Sequence, residues 1–371
     1  MDAEMASSKS TGTYVDAGPP SRASIVDGMW IFRVKRPPGS PPAFKARYVA
    51  RGFSQRKGVD YFQTFSPTPK MTTFRMLLHI AAQRDYELHS LDFSIAFLQG
   101  SLLEEIWLRR PPGFTGSFPA GTQWSLRRPV YGLHQAPREW HDTLRTTLAA
   151  LEFTPSSADL SLFLRTDTSL PPFYVLVYVD DLVFAPADTE ALTLVKSELS
   201  FSASASSSPR HSPLLCLPAT HSQLHLRTST HRKVHWHAEK KVLHYLCSTS
   251  GMGLVLGGRG SVVLTGHADA SWVDDSAMQR STRFSSVLSS SCEAEIYAGA
   301  MAAQELRWLT YLLSDLGEQP RSSPHGQLCL AYVATRANTA DILTKALPPG
   351  DHQRFSTVLG LVPTFPHLLT T

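Results

Sequence analysis

The sequence has few cysteines and no long apolar run. Its four cysteines, none of which belongs to a Cys-x-x-Cys pair, are Cys216, Cys247, Cys292 and Cys329. This pattern excludes a zinc ribbon and argues against a disulfide framework. No apolar stretch approaches the roughly 18 residues of a membrane-spanning helix, and no basic-then-apolar leader opens the chain. We therefore expect a soluble intracellular protein in a reducing compartment, with no signal peptide and no membrane partner.

Acidic residues are absent from one stretch of the sequence. Between Gly28 and Gly58 there is no Asp or Glu, although eight Lys and Arg residues and five aromatic residues occur there. The net charge of the whole chain is only +4, so this local cluster is more informative than the total. Cations interleaved with aromatic rings are typical of surfaces that bind nucleic acids. A solvated basic face is the alternative.

Length and composition limit the domain organisation. With 371 residues and 42% hydrophobic content, the chain can form two or three domains with real cores. Residues 1–27 are rich in Ser, Ala, Gly and Pro without periodicity, and we expect a disordered leader there. A Ser/Pro-rich linker at 201–233 then separates a first domain at 28–200 from a second region at 234–371.

Two adjacent carboxylates, Asp180 and Asp181, lie between two runs of strand-forming residues. The alternating segment 173–178 and the apolar segment 182–184 predict a hairpin with the acids at its turn. Because consecutive strand side chains point to opposite faces, neighbouring aspartates reach one site only at a turn. Such a pair near apolar surroundings needs metal ions to offset its repulsion. A solvated Asp-Asp turn is the alternative.

Other segments place charged groups on predicted elements. Residues 29–35 and 43–50 alternate like the strands of a second hairpin, and the spacing of Lys45 and Arg47 puts both cations on one face, as a triphosphate requires. Asp92 ends a further strand-like run that leads directly into a helix-like segment. A helix N-cap is the alternative role for Asp92.

Several of these stretches together resemble the reverse transcriptase of copia-type long-terminal-repeat retrotransposon polyproteins. The matching stretches are Phe44-Lys-Ala-Arg-Tyr-Val-Ala-Arg-Gly-Phe-Ser-Gln55, Leu91-Asp-Phe-Ser-Ile-Ala-Phe-Leu-Gln-Gly100, Trp124 to Trp140, and Tyr178-Val-Asp-Asp181. The resemblance covers most of 28–199 and implies an α+β fold of fingers and palm. It implies an RNA-directed DNA polymerase that transfers a nucleotide from a dNTP to a primer 3′-hydroxyl.

The resemblance also implies a two-metal site. Asp92 and Asp180 match the principal ligands of two Mg²⁺ ions, with Mn²⁺ as the alternative ion, and Asp181 matches the carboxylate that supports them. Two such ions activate the primer hydroxyl and stabilise the leaving pyrophosphate. The partners implied are an RNA template, a DNA primer and dNTPs, and the compartment implied is a cytoplasmic retrotransposon particle or the nucleus.

The remaining polymerase residues are assigned by the same resemblance. Lys45 and Arg47 match the cations that bind the incoming nucleotide, Phe97 the ring that excludes a 2′-hydroxyl, and Gln135 a residue over the nucleotide. A simple core role is the alternative for Phe97. The cations expected to contact nucleic acid are Arg51, Arg56 and Arg138, the last of which has a solvated helix charge as its alternative.

A second resemblance, to the RNase H domain of the same family, returns in pieces after residue 234. Asp269, Glu295 and Asp341 match three of its four carboxylates, although a strand end, a helix first turn and a cap are ordinary positions for such acids. Two expected strands shrink to a few residues between Arg283 and Ser289, and no Asp lies between 318 and 340. We expect an incomplete α/β segment with vestigial acids and no RNase H activity.

These observations leave two functional hypotheses. The first is a copia-type reverse transcriptase, defective in part, because no counterpart of the rest of the palm or of the thumb follows residue 201. The alternative is a non-catalytic retrotransposon remnant that at most binds nucleic acid.

Overall fold

The computed structural model describes residues 1–21, 23–36, 41–93, 95–112, 121–166, 171–200, 205–206, 240, 243–244, 247, 251–256, 264–269, 291–319, 331–344 and 347–363. The chain forms two compact units, one made of Met1–Arg75 and Tyr86–Arg210, the other of Met76–Asp85 and His211–Thr371. Most of the linker predicted at 201–233 lies outside the described residues. Helices and mainly antiparallel sheets make up the described part, in agreement with the predicted α+β class.

The segment expected to be a disordered leader is ordered in the structure. It contains helix α1 (Asp2–Ser10) and strands β1 (Tyr14–Ala17) and β2 (Ile25–Val26). Strand β1 pairs with a strand at Gln123–Leu126, and the Tyr14 ring stacks 3.8 Å from the Trp124 ring. The prediction was wrong because the order of this segment comes from distant partners, which outweigh a weak local pattern.

Strands β3 (Gly28–Lys35) and β4 (Ala43–Ala50) form the predicted hairpin. Opposed residues of an antiparallel pair share a face, and the register sets Arg33 opposite Lys45 and Ile31 opposite Arg47. Trp30 opposes Tyr48 on the other face, where the two rings lie 5.2 Å apart. The hairpin therefore separates the interleaved cations and aromatic rings of the sequence into a cationic face and an aromatic face.

Helix α2 (Met71–Gln83) and strand β5 (His89–Phe93) come next, followed by a 3₁₀ turn at Ala96–Gln99. Strands β6 (Trp107–Leu108) and β7 (Gln123–Leu126) join β1 and β2 in a four-stranded sheet with the order β1-β7-β6-β2. Helix α3 (Ala136–Ala150) has Pro137 in its first turn, where the backbone N–H that proline lacks would have no partner within the helix.

A second, six-stranded sheet carries the acid pair. Its remaining strands are β8 (Thr154–Pro155), β9 (Leu162–Arg165), β10 (Phe173–Tyr178), β11 (Asp181–Pro186) and β12 (Ala205–Ser206), and helix α4 (Thr189–Ser200) follows β11. The strand order is β12-β5-β11-β10-β9-β8, and all neighbours are antiparallel. We call it the palm sheet.

Helices α3 and α4 pack on the palm sheet and form one hydrophobic core with it. The predicted helix faces are buried, with Trp140, Leu144 and Leu148 from α3 and Leu192, Val195 and Leu199 from α4. Each such side chain contributes roughly 1.5–3 kcal/mol on burial. Asp188 accepts a hydrogen bond from the Glu190 backbone N–H and so caps α4.

The second unit contains a long helix and a small sheet. Strands β13 (Met252–Leu254) and β14 (Leu361–Pro363) pair, and the helices are α5 (Ser291–Asp315), α6 (Asp341–Thr344) and α7 (Pro349–Val358). Helix α5 ends before Gly317, whose φ of +74° favours glycine. None of the helices in the described part of the chain is both long and apolar enough to span a membrane.

Candidate active site

The turn between β10 and β11 presents the two adjacent carboxylates, as predicted. Tyr178 and Asp181 form the last pair of the ladder, so Val179 and Asp180 make the turn. Val179 has a φ of +57°, which is costly for a β-branched residue. The Trp140 indole N–H of α3 donates to the Val179 carbonyl at 2.6 Å and stabilises this backbone conformation.

Strand β5 brings the third carboxylate to the same end of the palm sheet. Asp92 lies opposite Asp181 in the β5–β11 register, and the Phe93 backbone N–H donates to the Asp180 carbonyl at 2.9 Å. Asp181 is exposed, whereas Asp92 and Asp180 are half-buried. The sheet thus brings together all three acids that the sequence predicts to act together.

Tyr131 is the centre of the cluster beside these acids. Its ring lies 4.6 Å from the Phe97 ring, and the Arg47 guanidinium carbon lies 4.3 Å from its centre. Burial raises the pKa of the Tyr131 hydroxyl, Arg47 opposes that rise, and the negative charges of Asp180 and Asp92 add to it. Tyr131 therefore lies within electrostatic reach of both carboxylates and of the cation.

Backbone contacts fix Tyr131 beside strand β4. The Ala50 N–H donates to the Tyr131 carbonyl at 2.8 Å. Gly132 has a φ of +94°, and a Cβ there would collide with the Ala50 carbonyl oxygen. Only glycine permits this approach. Sequence reasoning missed Tyr131, although the glycine that follows it was a signal of close backbone contact.

A cavity of about 260 Å³ lies next to this cluster. The cations Lys45 and Arg47 and the ring of Tyr131 line one side, and Glu4, Ser7 and Ser8 of α1 line another. The predicted placement of both cations on one face of β4 is confirmed by the strand register. The cavity thus combines two cations with the ring of Tyr131, which suits an anionic ligand, and the charges of Asp92 and Asp180 act on that same tyrosine.

Comparison with known proteins agrees with this geometry. Residues 12–207 match the family described as "Reverse transcriptase (RNA-dependent DNA polymerase)". The chain belongs to this reverse transcriptase family.

The relatives that match are polyproteins of transposons. The Pol polyprotein of transposon RE2 from Arabidopsis thaliana is 29% identical over 473 residues, which cover 93% of this chain and 32% of that protein. The polyprotein of transposon RE1 from the same plant is 42% identical over 176 residues, which cover 47% of this chain and 12% of that protein. The polyprotein of transposon TNT 1-94 from Nicotiana tabacum is 32% identical over 201 residues, which cover 54% of this chain and 15% of that protein.

These matches confirm the copia-type retrotransposon polyprotein identified from the motifs. The chain spans about a third or less of the length of these relatives. The alignment with the RE2 protein runs over 473 residues, more than the 371 of this chain, so that relative contains segments without a counterpart here.

Gln135 does not lie where the resemblance places it, over a nucleotide. The side chain is fully buried, its amide N–H donates to the Asp60 carbonyl at 2.9 Å, and its amide oxygen accepts from Gln55 at 3.0 Å. The Gln55 oxygen in turn accepts from the His134 backbone N–H. Gln135 therefore ties the loop at 55–60 to the start of α3, and Tyr131, four residues earlier, lines the cavity instead.

The three arginines predicted to contact nucleic acid differ in availability. Arg51 is exposed, and the Arg56 side chain is 60% exposed, with its Nε 4.0 Å from Asp60. Arg138 is largely covered and lies 3.4 Å from Glu139 and 3.6 Å from Asp142. Arg51 and Arg56 are thus at the surface of the first unit, whereas Arg138 is engaged within α3.

The donor groups at the acid cluster suit magnesium. Reverse transcriptases use divalent metal ions, and Mg²⁺ is usually bound through one or two carboxylates together with substrate phosphates and water. Asp92 and Asp180 supply such a carboxylate pair. No group of three or more His, Cys, Asp or Glu that could hold a metal occurs among the residues that the structure describes.

The acids expected to be vestiges of RNase H are only partly brought together. The Asn338 side-chain amide donates to the Ala268 carbonyl at 3.0 Å, which places the segments of Asp269 and Asp341 side by side. Asp341 is buried, whereas Glu295 is exposed on α5. All three are described residues, and they form no metal-binding cluster.

Proposed function

We propose that the first unit is an RNA-directed DNA polymerase that transfers a nucleotide from a dNTP to a primer 3′-hydroxyl on an RNA template. The observation that carries this proposal is the position of Asp92 and Asp180 beside Tyr131, whose ring also contacts Arg47 and Phe97. The carboxylates proposed to bind metal and the cation proposed to bind phosphate thus both act on one aromatic residue.

Each group has a defined task in this reaction. Asp92 and Asp180 hold two Mg²⁺ ions, with Mn²⁺ as the alternative, and these ions activate the primer hydroxyl and stabilise the leaving pyrophosphate. Lys45 and Arg47 bind the triphosphate, since a guanidinium can donate two parallel hydrogen bonds to phosphate oxygens. Asp181, exposed at the rim, raises the negative potential of the site.

The sugar of the nucleotide packs against the ring pair of Phe97 and Tyr131. The two rings touch, and Phe97 is half-buried at the end of the β5 segment that carries Asp92. A ring in this position leaves room for a deoxyribose and collides with a 2′-hydroxyl. This is the role that the sequence resemblance implies for Phe97. The Tyr131 ring packs against the Phe97 ring.

Template and primer contacts belong to the surface cations. Arg51 and Arg56 are exposed and follow the cationic face of the β3–β4 hairpin. Phosphate contacts need only such accessible cations. By analogy with the relatives, the reaction takes place in a retrotransposon particle in the cytoplasm or in the nucleus.

The alternative, a remnant without catalysis, has one observation in its favour. The RE2 protein contains segments that this chain lacks, and in the second unit the three acids form no metal site. We propose that RNase H activity is lost in any case. A labelled RNA/DNA hybrid incubated with Mg²⁺ should release no short RNA fragments, and release abolished by Asp269→Asn would contradict this.

Primer extension separates the two hypotheses. The full chain is given a poly(rA) template with an oligo(dT) primer, dTTP and Mg²⁺, and extension is expected. Asp180→Asn should abolish it, because a neutral amide cannot hold the ions. Asp188→Asn is the matched control, since asparagine caps α4 as well as aspartate does. No extension by the parent chain would favour the remnant, and equal extension by Asp180→Asn would overturn the site.

A further inference from the structure

Helix α1 lies along the cavity that adjoins the acid cluster. Glu4, Ser7 and Ser8, spaced so that they share one face of the helix, line the same space as Lys45 and Arg47. Residues 1–27 carried no predicted function. The position of α1 therefore needs a physical account of its own.

Glu4 lines the same cavity as the two cations assigned to the triphosphate. Burial raises the pKa of Glu4, while a hydrogen bond from the Tyr48 backbone and the charges of Arg47 and Lys45 act in the opposite direction. Glu4 also adds to the negative field on the Tyr131 hydroxyl, alongside Asp180 and Asp92. An anionic group of the chain itself thus occupies the surroundings of Lys45, Arg47 and Tyr131.

We propose that α1 is an autoinhibitory element in which the Glu4 carboxylate takes the place of a phosphate of the incoming nucleoside triphosphate. The inference rests on the proposed nucleotide site and adds regulation to it. The remaining cavity of about 260 Å³ is below the roughly 300–1,000 Å³ of typical ligand sites. Movement of α1, which lines this cavity, would enlarge it for a nucleotide.

Helix α1 is held weakly enough to move. None of its described side chains is fully buried, and Met5 is its one described residue packed against the core of the smaller sheet. Segments with few buried apolar contacts open at low cost. A triphosphate, which carries more charge than one carboxylate and more oxygen acceptors for Arg47, can displace such a helix by mass action.

The chain provides a hinge for this movement. Gly12 has a φ of +63°, and no atom lies within 4 Å of the point that a Cβ would occupy, so the backbone there is unobstructed. Directly after it, Thr13 is buried and its carbonyl accepts from the backbone N–H groups of Arg127 and Arg128. A swing of α1 about Gly12 would break the bond from the Thr13 backbone N–H to the Ser8 carbonyl at 3.0 Å, while the bonds from Arg127 and Arg128 keep Thr13 in place.

The test uses the full chain with Glu4→Gln, and Asp2→Asn as the control, because Asp2 is an exposed acid on the same helix. Binding of a fluorescent dTTP analogue is measured in the presence of primer-template and Ca²⁺. Glu4→Gln should bind the analogue roughly three- to tenfold more tightly, the range expected when one charge-assisted interaction is removed at a half-exposed site. Asp2→Asn should bind like the parent.

Hydrogen exchange gives an independent measure. Saturating dTTP should speed the exchange of the α1 amides in the parent chain, and dTMP, which lacks the outer phosphates, should not. Equal binding by Glu4→Gln and the parent, with Arg47→Ala still abolishing it, would overturn the autoinhibition and leave the nucleotide site standing. No binding by either protein would overturn both together.

Discussion

The guanidinium of Arg47 lies over the ring of Tyr131, at 4.3 Å from its centre, and so joins strand β4 to the segment that precedes α3. A cation over an aromatic face gains roughly 0.5–2 kcal/mol, the larger value when water is excluded. Phe97 contacts the same ring, and the charges of Asp92 and Asp180 act on the Tyr131 hydroxyl. The Arg47–Tyr131 pair therefore connects the proposed triphosphate site to the proposed metal site.

Replacing Tyr131 by leucine should weaken nucleotide binding. Loss of the ring removes the cation–π contact that orients Arg47, and the affinity for a fluorescent dTTP analogue should fall by roughly three- to thirtyfold. Tyr131→Phe keeps the ring and should bind within about twofold of the parent, because the aromatic face remains. Equal binding by the leucine variant would show that Arg47 needs no support from this ring.

Replacing Trp140 by phenylalanine should loosen the acidic turn. The variant keeps a ring in the core but loses the indole bond to the Val179 carbonyl, and the free energy of unfolding by urea should fall by about 1–2 kcal/mol. Primer extension should fall with it. Trp107→Phe loses an indole bond to the Glu105 side chain, away from the turn, and should leave extension unchanged. Normal primer extension by the Trp140 variant would show that the bond from Trp140 to the Val179 carbonyl is not needed for catalysis.

Phe97→Ala should admit ribonucleotides. Without the ring that contacts Tyr131, a 2′-hydroxyl meets no obstacle, and the ratio of rUTP to dTTP incorporation should rise in a primer-extension assay. Phe97→Tyr retains the ring and serves as the control. Discrimination as strong in the alanine variant as in the parent would reduce Phe97 to a packing residue.

Binding of a primer-template should depend steeply on salt. Removing the cation from one bound phosphate should reduce the slope of log affinity against log salt by roughly 0.7–0.9. The double variant Arg51→Gln, Arg56→Gln should therefore bind more weakly and with a shallower slope. Arg145→Gln, an exposed cation on α3, is the control. A salt response that the double variant leaves intact would mean that the basic face is merely solvated.

Stability should fall at alkaline pH through Tyr48. Burial raises the pKa of its hydroxyl from 10.0 to about 12, and the hydroxyl donates to the Arg109 carbonyl at 2.7 Å. Since the folded-state pKa is the higher one, the contribution is complete below pH 10.0 and is lost as pH rises toward 12. The free energy of unfolding by urea should fall as pH rises through this range, and it should fall less in Tyr48→Phe. The same pH dependence in that variant would show that other groups cause the loss.

Elements with local signals were predictable from the sequence. The hairpin that carries Asp180 and Asp181 and the one that carries Lys45 and Arg47 are each specified by strand alternation around a turn, so both appear where expected. The faces of α3 and α4 follow from helical spacing in the same way. The juxtaposition of Asp92 with the acid pair came from a family resemblance, since no local rule joins residues so far apart.

The failures involve distant partners. Order in residues 1–27 depends on β1 pairing with Gln123–Leu126, and the burial of Gln135 depends on Gln55 and Asp60. Tyr131 acquires its place through Ala50 and Arg47. In each case the deciding contact joins segments widely separated in the chain, and such contacts leave no periodic trace in either segment.

The left-handed backbone at Val179 has a thermodynamic consequence. The conformation is unfavourable on its own and is supported by the Trp140 indole, so it persists only while α3 is docked on the palm sheet. A peptide of the hairpin alone would relax and lose its carboxylate geometry. At the proposed metal site, ion binding at the tip and docking of the helix are then expected to stabilise one another, so that the midpoint of unfolding should shift with Mg²⁺ concentration.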